Sequence, residues 1–252
     1  MYTDEQFEKL EQEERVITDE AIAVMILLLA SAKSELVKEL KNFYSTYGKD
    51  GVVTYSEARK WSSENDHRRR LTVLLLYLNE HFNELYTNLS PHFKEMLLAV
   101  IGKESEFFDA EVDEKVADKQ WGADEKNWDE RLIDDVALWV AYLTMDIKRG
   151  LTQRKHINEV IKQIDKRFAT MEYVITTLGL SESTAVGSMA RQEIFKKLGI
   201  TKYQFFTKVD ERRCDVCGSM HGLIFPISAF EVGVTASPLH PRCRCWEVPI
   251  RD

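Results

Sequence analysis

All four cysteines of the chain lie in one short segment near its C-terminal end, arranged as Cys214-x-x-Cys217 and Cys243-x-Cys245. His240 stands shortly before the second pair. A Cys-x-x-Cys pair followed by glycine is typical of a metal knuckle, a tight turn in which backbone N–H groups point at the sulfurs and the glycine takes a positive φ. Tetrahedral Zn²⁺ has four ligand positions, so one of the five side chains should lie next to the ligands without binding the metal itself. The segment predicts a structural zinc held by four of Cys214, Cys217, His240, Cys243 and Cys245.

Other interpretations of the cysteines remain open at this point. They could form a disulfide or a mixed redox arrangement, or stay reduced and pack as small apolar side chains. A catalytic zinc has less support, because it needs an open coordination position and a nearby general base. The closest carboxylates, Asp210, Glu211 and Asp215, have no spacing that assigns this role. His221 is expected to face solvent or to bond to backbone.

The common catalytic motifs are missing from the sequence. It contains no glycine-rich phosphate loop, no H-E-x-x-H and no G-x-S-x-G. We therefore expect that the protein is not an enzyme.

Apolar residues recur at helical spacing through the N-terminal third of the chain. One helix is predicted from Thr18, as its cap, to Gly48, which ends it. Thr54 and Glu57 have the spacing of a capping box and open a further helix.

Later helices are predicted from similar start and stop signals. Ser90 as cap and Pro91 at the first helical position begin a helix that Gly102 ends. Beyond the acidic stretch, one helix runs to Gly150, a second follows it, and a third begins at Ser181.

The C-terminal segments 202–209, 222–225 and 243–250 are short, aromatic and β-branched, and they are interrupted by Gly, Pro and Ser. This pattern predicts strands of a small antiparallel sheet. The expected fold class is α+β, mostly helical, with a small C-terminal antiparallel sheet stapled by the Cys/His metal knuckle. The expected domains are a helical N-terminal region over 1–103, an exposed acidic connection over 104–127, and a C-terminal domain over 128–252 with helices in 128–199 and the sheet with its Cys/His cluster in 202–252.

Charge is distributed unevenly along the chain. The formal net charge is −8, of which residues 1–150 carry about −12 and residues 151–252 about +4. Wrapping nucleic acid over the whole surface is disfavoured, because phosphate contacts need clustered Lys and Arg, so only the basic C-terminal half is a candidate for binding DNA. The sequence shows no signal peptide and no apolar run long enough to cross a bilayer, which predicts a soluble protein without a membrane partner.

The C-terminal motif resembles that of the phage Mu F-like minor head proteins, also called phage head morphogenesis proteins. The resemblance covers roughly residues 128–252. In this family a Cys-x-x-Cys pair, preceded by Asp and Arg, leads through a histidine or aspartate followed by glycine to an ending of the form Pro-x-His-Pro-x-Cys-Arg-Cys. The matching residues are Asp210, Arg212, Cys214, Cys217, His221, Gly222, Pro238, His240, Pro241, Cys243, Arg244 and Cys245.

Upstream, Arg131 and Gly150 stand where the family's helical lead-in has them, and Glu182 opens a helix that usually begins with Arg-Thr-Glu. Leu180 and Ser181 replace the Arg and Thr of that pattern, so the contacts of the family's arginine must be made differently here.

The resemblance implies a minor structural protein of the virion. Such a protein would bind the portal inside the head, at the portal vertex, after assembly in the host cytoplasm. It would act in head morphogenesis, and in packaging or ejection of the viral genome. The implied partners are the portal protein and the major capsid or scaffold protein, with viral DNA as a further candidate for the basic C-terminal half. The alternatives are a nucleic-acid-binding zinc module and, with less support, a metal-dependent nuclease or toxin.

Overall fold

The computed structural model describes residues 3–53 and 65–250; for residue 4 and residues 65–79 and 81–83 it describes the backbone alone. Helices dominate this part of the chain, as the sequence predicted. None of these helices combines the length and the apolar content that crossing a membrane would require. The long helices are α1 (Asp4–Tyr47), α2 (Asn65–Phe108), α3 (Trp128–Thr152) and α4 (Ile157–Lys197).

Several predicted helix ends are wrong, because apolar burial overrides the local start and stop signals. Pro91 and Gly102 both lie inside α2. Buried residues keep a spacing of three or four on either side of the proline, so one continuous face enters the core and the helix does not end there. This face consists of Leu85, Leu89, Phe93, Met96 and Val100.

Two further predicted helix starts lie within helices. Thr18 lies inside α1, where its hydroxyl donates to the carbonyl of Glu14 at 2.9 Å instead of capping the helix. Ser181 lies inside α4 and donates in the same way to the carbonyl of Thr177 at 2.8 Å. Gly48 does follow the last residue of α1. The capping box predicted at Thr54 and Glu57 lies outside the described residues.

The predicted C-terminal sheet is confirmed. Strands β3 (Lys202–Thr207), β4 (Ile224–Pro226) and β5 (Cys245–Ile250) form an antiparallel sheet in the order β4-β3-β5. The short helix α5 (Asp215–Met220) lies in the connection between β3 and β4. A separate antiparallel pair, β1 (Gly48–Lys49) and β2 (Val52–Val53), follows α1. Thr207 pairs with Cys245, which fixes the start of β5 next to the end of β3.

The acidic stretch 104–127 contains ordered structure. Its first residues complete α2, and a short 3-10 helix, Glu114–Asp118, buries Val116 and Ala117. The indole N–H of Trp121 then donates to the carboxylate of Glu182 at 2.8 Å. Part of this stretch therefore packs against the rest of the chain, which differs from a fully exposed connection.

The chain forms two compact units that are not continuous in sequence. The terminal unit contains Met1–Ala23, Pro91–Arg131 and Thr176–Asp252, and the middle unit contains Val24–Ser90 and Leu132–Ile175. The terminal unit draws on all three predicted sequence ranges and the middle unit on the first and third. The partition into 1–103, 104–127 and 128–252 stays a prediction.

Each unit has its own aromatic core. In the terminal unit Phe108 contacts Phe7 and Phe195, with ring centroids 5.8 and 5.6 Å apart. In the middle unit Trp139 packs edge to face on Phe168 at 4.9 Å, and its indole N–H donates to the carbonyl of Arg167 at 2.7 Å. The candidate metal centre lies in the terminal unit.

Candidate metal centre

The first cysteine pair is held at the start of α5. Cys214 is the N-cap residue of this helix, and its Sγ accepts a hydrogen bond from the backbone N–H of Cys217 at 3.3 Å. Ser, Thr, Asp and Asn usually fill this position, and here a sulfur takes the role of their oxygen. The predicted N–H to sulfur contact is therefore present.

The glycine conformation predicted for this knuckle is wrong. Gly218 lies within helix α5 and has no positive φ, since the chain continues as helix after Cys217. The left-handed residue is instead Gly222, with φ of 82°, where the chain turns from α5 into β4.

His240 brings the second half of the motif to this helix. Its Nε2 lies 3.3 Å from Sγ of Cys214 and 3.1 Å from Sγ of Cys217. On the other side of the ring Nδ1 lies 2.9 Å from the carbonyl of Pro241, so Nδ1 carries the proton and donates it there. This hydrogen bond leaves the lone pair of Nε2 directed at the two sulfurs. The same tautomer selection is typical of histidines that bind metals.

The second cysteine pair completes the cluster from the other side. Sγ of Cys217 lies 3.7 Å from Sγ of Cys243. Cys217, Cys243 and Cys245 form one group, and Cys214, Cys217 and His240 another; within each group the ligand atoms lie within 4.8 Å of one another. Cys217 belongs to both, so all five predicted ligands converge around this one sulfur.

The spacing of Cys217 and Cys243 matches one edge of a tetrahedral zinc site. With Zn–S of about 2.3 Å and Zn–N of about 2.0 Å, two ligand atoms of a tetrahedron lie about 3.8 Å apart if both are sulfur and about 3.5 Å apart if one is nitrogen. The separation of 3.7 Å between the sulfurs of Cys217 and Cys243 is close to the first value. The same separation is far above the bond length of about 2.05 Å in a disulfide, and all four cysteines are free.

The thiols differ in acidity because their surroundings differ. The pKa of Cys243 is lowered to about 6, mainly because the Cys245 thiol donates to its sulfur. The pKa of Cys214 is lowered chiefly by the N–H of Cys217. Burial raises the pKa of Cys217 to about 12. A metal would therefore meet two sulfurs that ionise readily and would displace protons from others.

Cys245 occupies the innermost position of the cluster. It is the least exposed of the four cysteines at 1%. Because it donates to Cys243, its pKa is raised and it stays a neutral thiol. The cysteines pack with Phe205 in a small apolar cluster, which closes the buried side of the site.

His221 stands apart from this group. Its Nδ1 accepts a hydrogen bond from the backbone N–H of Thr207 at 3.2 Å, and its ring lies edge to face on Phe206. It thus braces the end of β3, in agreement with the backbone hydrogen bond expected from the sequence.

Asp210, one of the three carboxylates considered as a general base, is already engaged. Arg244 holds it with two hydrogen bonds of 2.5 and 2.7 Å, and this pairing lowers the pKa of Asp210. Both residues belong to the motif of the sequence analysis. Their pairing joins the segment before the first cysteine pair to the segment that contains the second.

Residues 141–248 match the family model described as Phage Mu protein F like protein. The chain carries a phage Mu F-like domain. The match includes all five candidate ligands and begins later than the resemblance over 128–252. This is a family of phage head morphogenesis proteins, which implies association with the virion. No significant match was found among curated proteins or among solved structures.

The phage Mu F-like elements upstream of the cysteines meet in the terminal unit. The carboxylate of Glu182, which is almost fully buried, accepts from Arg131 at 2.6 Å and from the indole of Trp121 at 2.8 Å. Burial raises the pKa of Glu182 despite the nearby arginine. Arg131 also bonds to Asp124, so the start of α3, the preceding loop and α4 are tied together.

The departure from the phage Mu F-like pattern at Leu180 and Ser181 is accommodated locally. Leu180 is buried, and the hydroxyl of Ser181 accepts a hydrogen bond from the backbone N–H of Arg242 at 3.1 Å. The guanidinium of Arg242 in turn donates to Thr177 at 2.8 Å. An arginine from the loop between His240 and Cys243 thus contacts this part of α4.

A second polar centre in the terminal unit was not predicted from the sequence. Arg191 is 2% exposed and forms ion pairs with Glu11, Glu14 at 3.2 Å, Glu104 at 2.5 Å and Glu247 at 3.6 Å. Burial is the main cause that raises the pKa of Glu14 and of Glu104, whose carboxyls lie side by side. One signal was available, because the inward positions near Arg191 on this helix include the apolar residues Val186, Ala190, Ile194 and Phe195.

Proposed function

We propose that this protein is a non-enzymatic minor head protein of a phage, bound to the portal inside the head, whose C-terminal module is closed by one structural zinc ion. One observation carries the proposal: five metal-ligand side chains converge within the part of the chain that matches the phage Mu F-like family. A small sheet buries little apolar surface of its own, and a bound metal supplies folding free energy that such a core lacks.

A structural role for the zinc is supported by the surroundings of the cluster. Asp210 is held by Arg244, and Nδ1 of His240 is held by a carbonyl group, so neither serves as a general base beside the site. Three of the four cysteines are buried, which is typical of closed zinc sites rather than of sites that admit substrate.

Cys214, Cys217, His240 and Cys243 are the four ligands that the geometry favours. Nε2 of His240 contacts the sulfurs of Cys214 and Cys217, and the sulfur of Cys243 contacts that of Cys217. These four atoms do not all lie within 4.8 Å of one another, so an ion bound by all four would draw Cys243 towards the other three. Cys245 lies on β5 opposite Thr207. The Cys245 thiol would then donate a hydrogen bond to the metal-bound sulfur of Cys243, a contact typical of the groups that orient metal ligands.

Metal analysis of purified variants tests both the zinc and its ligand set. One equivalent of zinc is expected in the wild-type protein and in Cys245→Ser, and a large loss in Cys217→Ser and Cys243→Ser. Cobalt substitution counts the sulfur ligands through the intensity of the sulfur-to-cobalt charge-transfer band, which should be unchanged in Cys245→Ser. Wild-type protein with less than about half an equivalent of zinc would contradict the metal site.

Co-expression with the portal protein of the same phage tests the role in the head. The two proteins are expected to co-purify. Particles assembled without this chain should still contain the portal. Absence from purified virions would contradict the proposed function, whatever the zinc content.

Nucleic-acid binding is a second candidate, favoured by a basic cleft in the middle unit. The cleft has a volume of about 420 Å³ and lies between the end of α3 and the start of α4. Among the described residues that line the cleft, Asp146 is the only carboxylate in an ion pair. It accepts hydrogen bonds from Arg167 at 2.5 Å and from Gln163 at 3.1 Å. The cations that line it are Arg149, Lys155, Lys162, Lys166 and Arg167.

Binding of double-stranded DNA at several salt concentrations tests this candidate. The double variant Lys162→Gln/Lys166→Gln should weaken binding and lower the slope of log K against log salt by about two, because each phosphate contact contributes close to one. Lys38→Gln/Lys41→Gln removes the same charge from exposed positions of α1 outside the cleft and is the control. Equal binding by both variants would exclude the cleft.

A further inference from the structure

The outward side of α3, in the middle unit, is apolar along several helical turns. Leu138, Tyr142 and Met145 are 54%, 44% and 51% exposed, and each follows the one before it by three or four residues. Side chains with this spacing lie on one face of a helix. Arg149 is also exposed and continues the same spacing. The three apolar residues are called the α3 row below.

The core of the middle unit does not depend on the α3 row. No charged residue occurs between Asp135 and Asp146, so α3 is apolar here on its exposed side as well as on its buried side. A surface helix usually has polar or charged residues towards solvent, whereas a helix that is apolar all round is usually buried. The α3 row therefore indicates a surface that another molecule covers. The inward face of α3 has its own buried residues at helical spacing, Leu132, Val136, Trp139, Leu143 and Ile147.

The α3 row leads into the basic cleft between α3 and α4. Arg149 lines this cleft, and the guanidinium of Arg167 lies over the ring of Tyr142, 5.0 Å from its centroid. Five cations line the cleft against two carboxylates, Asp146 and Glu159. The chain as a whole carries a net charge of −8. A local excess of positive charge on an acidic protein favours a partner with negative charge.

We propose that the α3 row and the basic cleft together bind an amphipathic, acidic helix of a partner protein. The α3 row contacts the apolar face of that helix, and the cations of the cleft pair with the carboxylates beside this face. From Leu138 to Arg149 the surface extends about 16 Å, because each helical residue rises about 1.5 Å, so about three turns of a partner helix cover it. Aromatic residues, Met and Arg are enriched at protein interfaces, and an apolar helix face is a common mode of recognition.

Nucleic acid accounts for only part of this surface. Phosphate groups would bind the cations of the cleft, but the exposed side chains of Leu138 and Met145 have no hydrogen-bond donor for a phosphate. An amphipathic acidic helix uses both the apolar and the basic part. The inference goes beyond the proposed function, since it depends neither on the zinc nor on a role in the phage head.

The first test measures binding of fluorescein-labelled peptides of about 15 residues to the full chain by fluorescence anisotropy. The first peptide has Leu on one helical face and Glu on both sides of that face. The second has the same residues in an order that removes the face, and the third has Lys in place of Glu. The first peptide should bind at least about tenfold more tightly than the other two and should gain helix on binding, as measured by circular dichroism. Equal binding of the first and second peptides, or no binding of the first, would overturn the proposal.

Two exposed leucines give a matched pair of variants. Leu138→Gln changes the α3 row and should weaken binding of the first peptide about tenfold. Leu27→Gln makes the same change on α1, at a side chain that is 69% exposed and does not line the cleft, and should bind as the wild type does. An unchanged Tm in both variants shows that they are folded. Equal peptide affinity in the two variants would overturn the proposal.

Duplex DNA separates the proposal from nucleic-acid binding at the same cleft. Lys162→Gln/Lys166→Gln should weaken binding of both the peptide and the DNA, because both ligands use the cations, whereas Leu138→Gln should weaken binding of the peptide alone. A chain that binds DNA and not the peptide would overturn the helix partner and leave the DNA candidate, the zinc and the head assignment untouched. A dimer detected by light scattering that Leu138→Gln abolishes would show that a second copy covers the α3 row, and would overturn the acidic partner.

Discussion

The terminal unit has two polar centres, the Cys/His cluster and the Arg191 cluster, and they differ in how the charge of their buried groups is balanced. Both bury groups that carry charge when ionised. The five candidate ligands of the Cys/His cluster come from two short segments, 214–217 and 240–245. In the proposed function, a metal ion from solution balances the charge of their thiolates. The Arg191 cluster draws its groups from α1, α2, α4 and β5, and the chain supplies the counter-charge itself.

This difference decides how each centre responds to damage. A metal site depends on solution conditions, since zinc can be removed without changing the sequence. A buried ion cluster depends on every member being present, because removing one partner leaves the others buried and uncompensated. The first centre should fail reversibly, and the second should fail on substitution of its one cation.

Loss of the cation of the buried cluster should have the largest effect. Arg191→Met leaves Glu14, Glu104 and Glu247 buried without their counter-charge, and the free energy of unfolding should fall by about 3 to 5 kcal/mol. Urea denaturation at neutral pH measures it. Lys9→Met, which removes a cation from an exposed pair with Glu13, should cost less than about 1 kcal/mol. A similar small loss in both variants would show that the cluster is not a stabilising centre.

Removal of zinc should cause the second-largest fall in the free energy of unfolding. With free zinc at about 100 to 1,000 times its Kd, chelation should lower the free energy of unfolding by about 2.7 to 4.1 kcal/mol. The Tm should fall on addition of chelator and recover when zinc is restored. Cys217→Ser should already have the lower Tm and respond little to chelator. If metal analysis shows that the zinc has been removed completely and the Tm is unchanged, a structural role for the zinc is contradicted.

The pH dependence of stability separates the two centres further. Burial raises the pKa of Glu104 above its ordinary value near 4.5, so the folded state holds a proton that the unfolded state releases. Stability from this proton is complete below pH 4.5 and declines as the pH rises through the folded pKa, with a slope of at most about 1.4 kcal/mol per pH unit for one proton.

Glu104→Gln should flatten this decline, because an amide has no proton to lose and can donate to the carboxyl of Glu14. Denaturation midpoints between pH 5 and pH 8 measure the slope in the wild type and the variant. Glu106→Gln, at a position on α2 outside the cluster, is the control. An identical slope in the wild type and Glu104→Gln would show that this carboxyl is not the group that titrates.

A substitution in the packing of α3 against α4 gives a free energy of unfolding with which the effects at the two polar centres can be compared. A Cβ on Gly150 would lie 2.6 Å from Cγ2 of Val160, so α3 and α4 could not keep their close approach. Gly150→Ala should lower the free energy of unfolding by about 1 to 2 kcal/mol, even though Ala is the better helix former. Val160→Ala in the same chain should recover part of the loss. A stabilised Gly150→Ala would show that the helices separate without cost.

The Cys/His cluster could be predicted from the sequence because its chemistry is local and its residue types are distinctive. Spacing alone named the five side chains that the structure brings together, and the aromatic and β-branched segments beside them gave the sheet. The helix ends at Pro91 and Ser181 were predicted wrongly, because local signals there compete with burial of a continuous apolar face. The Arg191 cluster was missed since its partners are separated by up to 236 residues, from Glu11 to Glu247, and no local pattern links them.

The placement of the cysteines relative to the sheet has a consequence for how the chain unfolds. Cys217 lies in α5, the helix before β4, and Cys243 lies two residues before β5. Strands β4 and β5 flank β3, and the two cysteines are 26 residues apart. While zinc remains bound to both, this loop stays closed when β5 separates from the sheet, which reduces the conformational entropy that such a local opening gains. Strand β5 could then separate from β3 and still be held close to it by the zinc. The two strands would pair again without a large loss of chain entropy.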